Sequence, residues 1–355
     1  MSQLPLVTIA IPVYNAQRFL PQGLDTVRNQ TYQNLEILIA DDGSSDSTAT
    51  LLDHLAEQDN RIRVIHLPHQ GVGATRNVLL EEANGAYLYF CDIDDYIESN
   101  LVEVNLAALE EKELDVSFFG LTFEFKATGL IDSDAPSEQI IYSNEEFKQF
   151  YCNVLMNSPY GYGYLPTKFF RMSFLRTLLE QGVKFEKIPM HEDEIFNLAL
   201  FRHITRACSL SQTLYHYIIY SKGNSSTTFR PNAFESSISL FQLRIKLYNE
   251  WIKDNKKVLE SYRKQLLIAV SYPIIKYEYY SQSAESFAQH LKTISHILNH
   301  PIVRECAGQC YIPLCDHPNS FFSKLIDRNF YRNRPLMFLL SRNVRDLYRK
   351  LLKKQ

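Results

Sequence analysis

The chain has 355 residues, of which 45% are apolar and 13% aromatic, so it can bury a large core and is not a disordered polypeptide. Its formal net charge of −3 argues against nucleic acid as the main partner. The N-terminus carries no basic-then-apolar signal, and no apolar run approaches the length of about 18 residues that spans a bilayer. We therefore expect a cytoplasmic protein, either soluble or peripheral to a membrane.

The first 125 residues alternate between short apolar strands and amphipathic helices. Strands are predicted at residues 6–12, 36–40, 63–66, 86–91 and 115–125, and a helix follows each of the first four. This alternation is typical of βαβ units, so it predicts an α/β domain with a mainly parallel sheet.

The pattern changes after residue 125. Residues 126–142 are predicted as a loop, 143–157 as a helix that opens on a capping box, and 159–166 as a glycine and aromatic loop. Two helices and a strand at 213–220 come next. From residue 231 the periodicity is almost wholly helical. We therefore predict one domain over residues 1–230 and a helical region over residues 231–355.

Three carboxylates follow the fourth strand, at Asp92, Asp94 and Asp95. The carboxyl ends of the strands form the ligand crevice of open α/β sheets, and crowded carboxylates repel one another unless a cation joins them. Oxygen ligands with an open side suit Mg²⁺ or Mn²⁺ shared with a phosphate. The alternative is an acidic loop that caps the next helix.

Two further strand ends belong to the same sheet edge. The first strand ends at Pro12 and leads into Tyr14 and Asn15, and the second ends in Asp41 and Asp42. An aromatic ring beside a carboxylate suits a nucleobase, by stacking and by accepting a ring N–H. Core, turn and cap roles are the alternatives for each of these residues taken singly.

A cation for phosphate is available at Arg76, at the start of the helix after the third strand, where charge and helix dipole act together. The alternative is a solvated helix residue. The glycine-rich phosphate motifs G-x-G-x-x-G and G-x-x-x-x-G-K-[ST] are absent from the sequence. Phosphate charge would therefore have to be met by Arg76 and a metal ion.

Four segments in this order resemble the motifs of family 2 glycosyltransferases: residues 7–15 (VTIAIPVYN), 39–46 (IADDGSSD), 73–77 (GATRN) and 92–95 (DIDD). The resemblance extends over residues 5–225. It implies the GT-A fold, which is Rossmann-like, and an inverting enzyme with a nucleotide-sugar donor. The chain resembles bacterial members that build surface polysaccharides.

The resemblance also implies roles at the base end of the donor site. Pro12 and Tyr14 flank the base, with Asn15 beside them in the same motif. Asp42, next to Asp41, accepts the uracil N–H.

At the phosphate end, the resemblance places Arg76 near the diphosphate and Asp92 at the ribose or the donor sugar. Asp94 holds Mn²⁺ or Mg²⁺. Asp95 is a second candidate for the metal or for the sugar hydroxyls.

The catalytic base is predicted further along the chain. The family has a later Glu-Asp pair, matched here by Glu192 and Asp193, whose aspartate takes the proton of the acceptor hydroxyl. His191 stands where many members have glycine. The alternative is that these acids only favour the helix dipole in a first turn.

Other features have two interpretations each. Tyr160, Tyr162 and Tyr164 suit either a sugar-binding platform or core packing. His216 can approach the metal or fill the core, and residues 222–226 resemble a loop that closes over the donor.

A zinc site at Cys306, Cys310 and Cys315 with His300 and His317 lacks a CxxC pair, so reduced thiols are the expectation.

The C-terminal tail is basic, with ten Lys or Arg between residues 324 and 354 against two acids. Amphipathic basic helices suit the anionic inner leaflet of the plasma membrane. Packing on the catalytic domain and a homodimer contact are the alternatives.

The sequence therefore predicts a glycosyltransferase, of the hexosyl or N-acetylhexosaminyl type, that moves a sugar from a UDP-sugar to a saccharide hydroxyl. The expected acceptor is a capsule, lipooligosaccharide or exopolysaccharide, free or lipid-linked. A sugar-phosphate nucleotidyltransferase and a non-catalytic nucleotide-sugar-binding scaffold are the alternatives.

Overall fold

The structure is a computed structural model that describes residues 4–155, 163–188, 190–220, 233–252, 255–275, 286–313 and 321–342. The chain divides into two compact units, residues 1–224 and 225–355. The domain boundary predicted at residue 230 falls among residues outside the described part.

The first unit is built on a mixed sheet. Its strands in the described part are β1 (Val7–Val13), β2 (Leu35–Asp41), β3 (Ile62–His66), β4 (Tyr87–Phe90), β5 (Tyr96–Ile97), β6 (Val116–Phe125), β7 (Leu130–Asp134), β8 (Gln139–Ile141), β9 (Lys168–Arg171) and β10 (Ala207–Ile219). Their order is β3-β2-β1-β4-β9-β6-β10-β5, with β7 on β6 and β8 on β10.

One half of this sheet is parallel, as the sequence predicted. β1 lies between β2 and β4, so that Ile9 is opposite both Ile37 and Tyr89. These strands are mostly apolar and buried along almost their whole length, as is typical of a parallel sheet with helices on both faces. The carboxyl ends of β1, β2 and β4 consequently meet at one edge.

The other half contains antiparallel strands that the sequence did not reveal. β9 is inserted between β4 and β6 and runs antiparallel to both, whereas β6 and β10 are parallel. The loop predicted at residues 126–142 was wrong in part, since it contains β7 and β8. β7 is exposed along most of its length, so it lacks the apolar pattern from which strands are predicted.

The helices of the first unit are α1 (Leu20–Arg28), α2 (Thr48–Gln58), α3 (Val72–Glu82), α4 (Leu101–Glu111), α5 (Asn144–Phe150), α6 (Met172–Glu180) and α7 (Glu192–Phe201). A π-helical turn, Tyr151–Leu155, follows α5, and a 3₁₀ turn, Leu165–Thr167, precedes β9. The α5 helix begins at the predicted cap, where the Ser143 hydroxyl accepts the Glu146 N–H at 3.2 Å.

The second unit is helical in its described part, in agreement with the sequence. It contains α8 (Ala233–Trp251), α9 (Lys256–Ile275), α10 (Phe287–Asn299), α11 (Pro301–Gln309) and α12 (Phe321–Tyr331), and residues 335–342 are also helical. Leu247, Leu267, Ile326 and Phe330 are fully buried in this unit. Among the described helices, none is long and apolar enough to cross a membrane.

Candidate active site

The sheet order brings the predicted base-binding segments together. Residues that follow β1 and β2 are joined through Asn15, whose side-chain oxygen accepts the Ser45 N–H at 2.8 Å and whose own N–H is donated to the Ser44 hydroxyl at 2.8 Å. Asn15 has a positive φ of 49°, a conformation that asparagine tolerates better than most residues. Its side chain therefore fixes the geometry of this rim.

The carboxylates of Asp41 and Asp42 are buried and bound by protein groups. The two oxygens of Asp42 accept the N–H groups of Gln70 and Gly71, each at 2.9 Å. Asp41 accepts the Ser44 N–H at 3.1 Å and lies 3.2 Å from Nδ1 of His66. Both carboxylates thus hold the loops that follow β2 and β3 in place.

An aromatic stack forms the exposed part of this rim. Tyr14 is 48% exposed and stacks on His69 with ring centroids 4.3 Å apart and an interplanar angle of 22°. Nδ1 of His69 lies 2.9 Å from an oxygen of Asp42. Pro12 lies below them in β1, opposite Ala40. Tyr14 and Pro12 were predicted from the sequence, whereas His69 was not. His69 lies in the loop between β3 and α3, and no strand or helix pattern predicts the position of a loop residue.

Arg76 links the acids after β4 to the start of α7. This buried guanidinium donates to Asp92 at 3.0 Å and to Glu192 at 2.9 Å. Burial works against its charge, yet the carboxylates of Asp92 and Glu192 raise its pKa. Two of its nitrogens are therefore held by carboxylates, whereas the sequence prediction had this group near a diphosphate.

The two remaining acids after β4 have different surroundings. Both oxygens of Asp95 are bound by β10: the Tyr215 hydroxyl donates to one and the Ile218 N–H to the other, at 2.7 Å. Asp94 instead lines an open cavity. Burial, with the charge of Asp92 second, raises the pKa of Asp94 to about 6.

The cavity beside Asp94 has a volume of about 380 Å³ and is lined by Arg18, Phe19, Pro21, Gln22, Ile93, Asp94, Tyr96 and Tyr220. The Arg18 guanidinium lies 5.3 Å from the centre of the Tyr220 ring, so a cation and an aromatic face accompany the carboxylate. Arg18, Gln22 and Tyr220 were not predicted from the sequence, because they come from the loop before α1, the first turn of α1 and the residue after β10.

Asp193 lies in the first turn of α7. Burial, followed by the charge of Glu192, raises the pKa of Asp193 to about 7, although Arg76 acts in the opposite direction. His191 caps this helix with a left-handed φ of 69°. That conformation costs a non-glycine residue on the order of 1 kcal/mol, a cost that glycine would not have.

Several weaker predictions have mixed outcomes. Tyr164 is packed between Phe123 and Tyr217, with ring centroids at 6.2 and 5.8 Å, whereas Tyr160, Tyr162 and residues 222–226 lie outside the described part. His216 contacts two carboxylates, of Glu98 at 2.8 Å and Glu124 at 3.0 Å.

The cysteine cluster in the second unit is described only in part. Cys306 and Cys310 are buried free thiols, and Cys310 donates to the Cys306 carbonyl at 3.3 Å. Cys315 and His317 lie outside the described residues. Within the described ranges, no three His, Cys, Asp or Glu side chains are grouped so as to hold a metal by themselves.

Residues 8–179 match the model of glycosyl transferase family 2. The chain is 28% identical over 305 residues to EpsH of Bacillus subtilis (strain 168), which is named as a glycosyltransferase. The match covers 85% of each chain.

Two solved structures share the fold. TarS of S. aureus, crystallised with UDP-GlcNAc, is 16% identical with a TM-score of 0.61, covering 97% of this chain and 91% of that one. The mannosyltransferase PcManGT from Pyrobaculum calidifontis, in complex with GDP-Man and Mn²⁺, is 15% identical with a TM-score of 0.51, covering 98% and 89%. Residues 8–179 are therefore a glycosyltransferase family 2 domain, and the chain is an enzyme of the glycosyltransferase class.

Proposed function

We propose that the enzyme transfers a sugar, with inversion at the anomeric carbon, from a UDP-sugar to a hydroxyl of a bacterial surface glycan, and that it needs Mn²⁺ or Mg²⁺. The observation that carries the proposal is the bridge from Asp92 through Arg76 to Glu192. It connects the acidic loop beside the cavity to the helix turn that bears Asp193. A donor-binding acid and the residue next to the candidate base are thereby held by one buried cation.

The base of the donor would lie against the exposed stack of Tyr14 on His69. Stacking on an aromatic face accepts any base, so the preference for uracil must come from hydrogen bonds. Asp42 accepts two backbone N–H groups, and a carboxylate offers about four lone-pair sites, which leaves capacity for the uracil N–H. The bound UDP-GlcNAc in the related fold of TarS supports this choice of nucleotide.

A divalent cation fits the cavity beside Asp94. Burial disfavours the charge of this carboxylate, and Mg²⁺ or Mn²⁺ prefers such oxygen donors. Since Asp95 is occupied by β10, we assign the metal to Asp94 alone, with its remaining ligands supplied by the diphosphate and water. When bound, the cation would neutralise the negative charge of the departing UDP.

Two residues of the chain complete the donor side. Arg18 lines the same cavity and supplies a cation beside Asp94, whereas Arg76 is bonded to Asp92 and Glu192. Asp92 is partly exposed and can reach a ribose or sugar hydroxyl while Arg76 fixes one of its oxygens.

Asp193 is the proposed base. A general base works best when its pKa is close to the working pH, because it is then partly ionised and still basic enough to take a proton. Asp193, with a pKa of about 7, meets this condition. It would remove the proton from the acceptor hydroxyl as that oxygen attacks the anomeric carbon.

For the acceptor we propose a capsule, lipooligosaccharide or exopolysaccharide chain, free or lipid-linked. The similarity to EpsH and TarS supports a bacterial glycan. The second unit also exposes cations and apolar side chains near its C-terminus, so we propose that it touches an anionic membrane surface.

The test of the proposed function is UDP release from a panel of UDP-sugars with candidate glycan acceptors. We expect release to require Mn²⁺ or Mg²⁺ and to fall at least 100-fold, roughly, in Asp94→Asn, because the carboxylate that holds the cation is lost. Asp25→Asn, an exposed acid on α1, is the matched control and should keep its activity. Full activity in EDTA would contradict the metal assignment, and the absence of turnover with every donor would contradict the proposed donor class.

A further inference from the structure

Lys168 is a buried lysine that has no role in the proposed reaction as described above. It is the first residue of β9 and is 0% exposed, and its ammonium group lies 5.7 Å from the ring centre of Phe118 and 5.9 Å from that of Phe201. Burial lowers the pKa of Lys168 to about 7. A fully buried ammonium is costly, so its retention in an apolar site calls for compensating partners.

One partner is the turn before β9. The Lys168 ammonium donates to the Tyr164 carbonyl at 2.7 Å, while the Asn197 amide of α7 donates to the neighbouring Gly163 carbonyl. A Cβ built on Gly163 would lie 3.0 Å from Cδ of Glu194, so this turn packs closely on α7. The turn at residues 163–167 is thus held between β9 and α7.

The other partners are charges. The acids that act on Lys168 are Asp193 and Glu194, both in the first turn of α7, and both favour its charged form. The interaction is reciprocal, since a cation that an anion stabilises must stabilise that anion in turn. Asp193 is acted on by Glu192 and Glu194 from its own helix and by Arg76 from α3. The charge of Asp193 in turn acts on Tyr164 in the turn and on Lys168 in β9.

We propose that Lys168 is a positioning residue of the transfer reaction: its ammonium group fixes the turn at residues 163–167 against α7 and presents a positive charge toward the first turn of that helix, where Asp193 lies. Arg76 acts on Asp193 from α3 and is also bonded to Glu192, and Lys168 is a second cation near Asp193, on β9. This inference rests on the role of Asp193 in the proposed function.

The experiment compares the pH dependence of kcat for UDP release in the full-length wild type, Lys168→Met and Lys168→Arg. Methionine fills a similar volume without a charge. We expect Lys168→Met to move the midpoint of the acid limb upward by about half a pH unit or more, and Lys168→Arg to return it toward the wild-type value. Lys112→Met, which removes an exposed lysine at the end of α4, should leave the profile unchanged.

A purely structural lysine would lower kcat without moving this midpoint, and that result would overturn the inference. If Lys168→Met does not fold, Lys168→Gln keeps a donor for the Tyr164 carbonyl and carries the same test.

A second measurement separates this inference from the proposed function. The carboxyl carbon of Asp193 is titrated by NMR in protein labelled at aspartate, with Asp193→Asn to assign the signal. We expect a higher midpoint in Lys168→Met than in the wild type, whether or not any UDP is released. Equal midpoints would overturn the role of Lys168 even in an active enzyme, whereas a shifted midpoint without turnover would reject only the proposed function.

Discussion

Asp193 illustrates how the position of one carboxyl sets its chemistry. An acid in the first turn of a helix is ordinarily stabilised as an anion by the helix dipole. Here burial and the neighbouring charge of Glu192 outweigh that effect and raise the pKa of Asp193 to about 7. The carboxyl is thus poised to exchange a proton near neutral pH, as a general base requires.

Asp193→Asn tests this role directly. The amide cannot accept the proton, so we expect transfer to fall by about 10²-fold or more while the affinity for UDP, measured by calorimetry, stays unchanged. In the wild type, the base works only when it is ionised, so activity should rise with pH through about 7. Glu180→Gln, an exposed acid on α6, serves as the control. Unchanged transfer in Asp193→Asn would rule this carboxyl out.

At this scale the sequence predicted residue types better than residue partners. The carboxylates of Asp42, Asp94 and Asp193 could be named because each follows a strand or opens a helix in a familiar motif. Their partners could not: Arg76 reaches Glu192 across 116 residues of sequence, and Asp95 reaches Ile218 across 123. Such contacts depend on the order of strands in the sheet, which local patterns do not contain.

At the scale of elements, the parallel strands were predictable and the antiparallel ones were not. β1, β2 and β4 are buried along almost their whole length, and their mostly apolar sequences predict strands of a parallel sheet. The four residues of β9 (KFFR) directly precede α6 and are too few to show the alternation from which a strand is predicted. β5 has only two residues, too few for any periodicity.

The contact between α3 and the segment before α7 determines where the first turn of α7 lies. The Asn77 amide donates to the Phe185 carbonyl at 2.9 Å and accepts the Phe185 N–H at 2.8 Å. Gly73 permits this close approach, because a Cβ built there would lie 2.5 Å from the Glu186 carbonyl oxygen.

Gly73→Ala should therefore destabilise the protein although alanine is the better helix former. Overpacking of about 1–3 kcal/mol exceeds the gain in helix propensity of about 1 kcal/mol, so the midpoint of thermal unfolding should fall by a few degrees. Gly308→Ala is a matched control, since that helical glycine has open space around its Cβ position. Equal midpoints for the two variants would show that the segment at residue 186 moves freely.

At the scale of the whole molecule, the second unit exposes basic and apolar side chains near its C-terminus. Lys324, Arg328 and Arg332 are exposed at intervals of four residues, on one face of α12 and its end. Exposed apolar side chains accompany them at Phe321, Leu336, Met337 and Leu340. A row of cations beside apolar side chains complements an anionic lipid surface. Each basic residue near such a surface contributes about 1 kcal/mol to the free energy of binding.

The double substitution Lys324→Ser with Arg328→Ser measures this attraction. Removing two cations should weaken binding to phosphatidylglycerol vesicles by about 2 kcal/mol, or roughly 30-fold in the partition coefficient from co-sedimentation. The matched control is Lys256→Ser with Lys257→Ser, which removes two exposed lysines at the start of α9 and should cost much less. Because the attraction is electrostatic, binding of the wild type should also fall as salt is raised. Equal losses in both double variants would mean that only net charge matters, and equal binding to phosphatidylcholine vesicles would exclude an anionic membrane as the partner of this face.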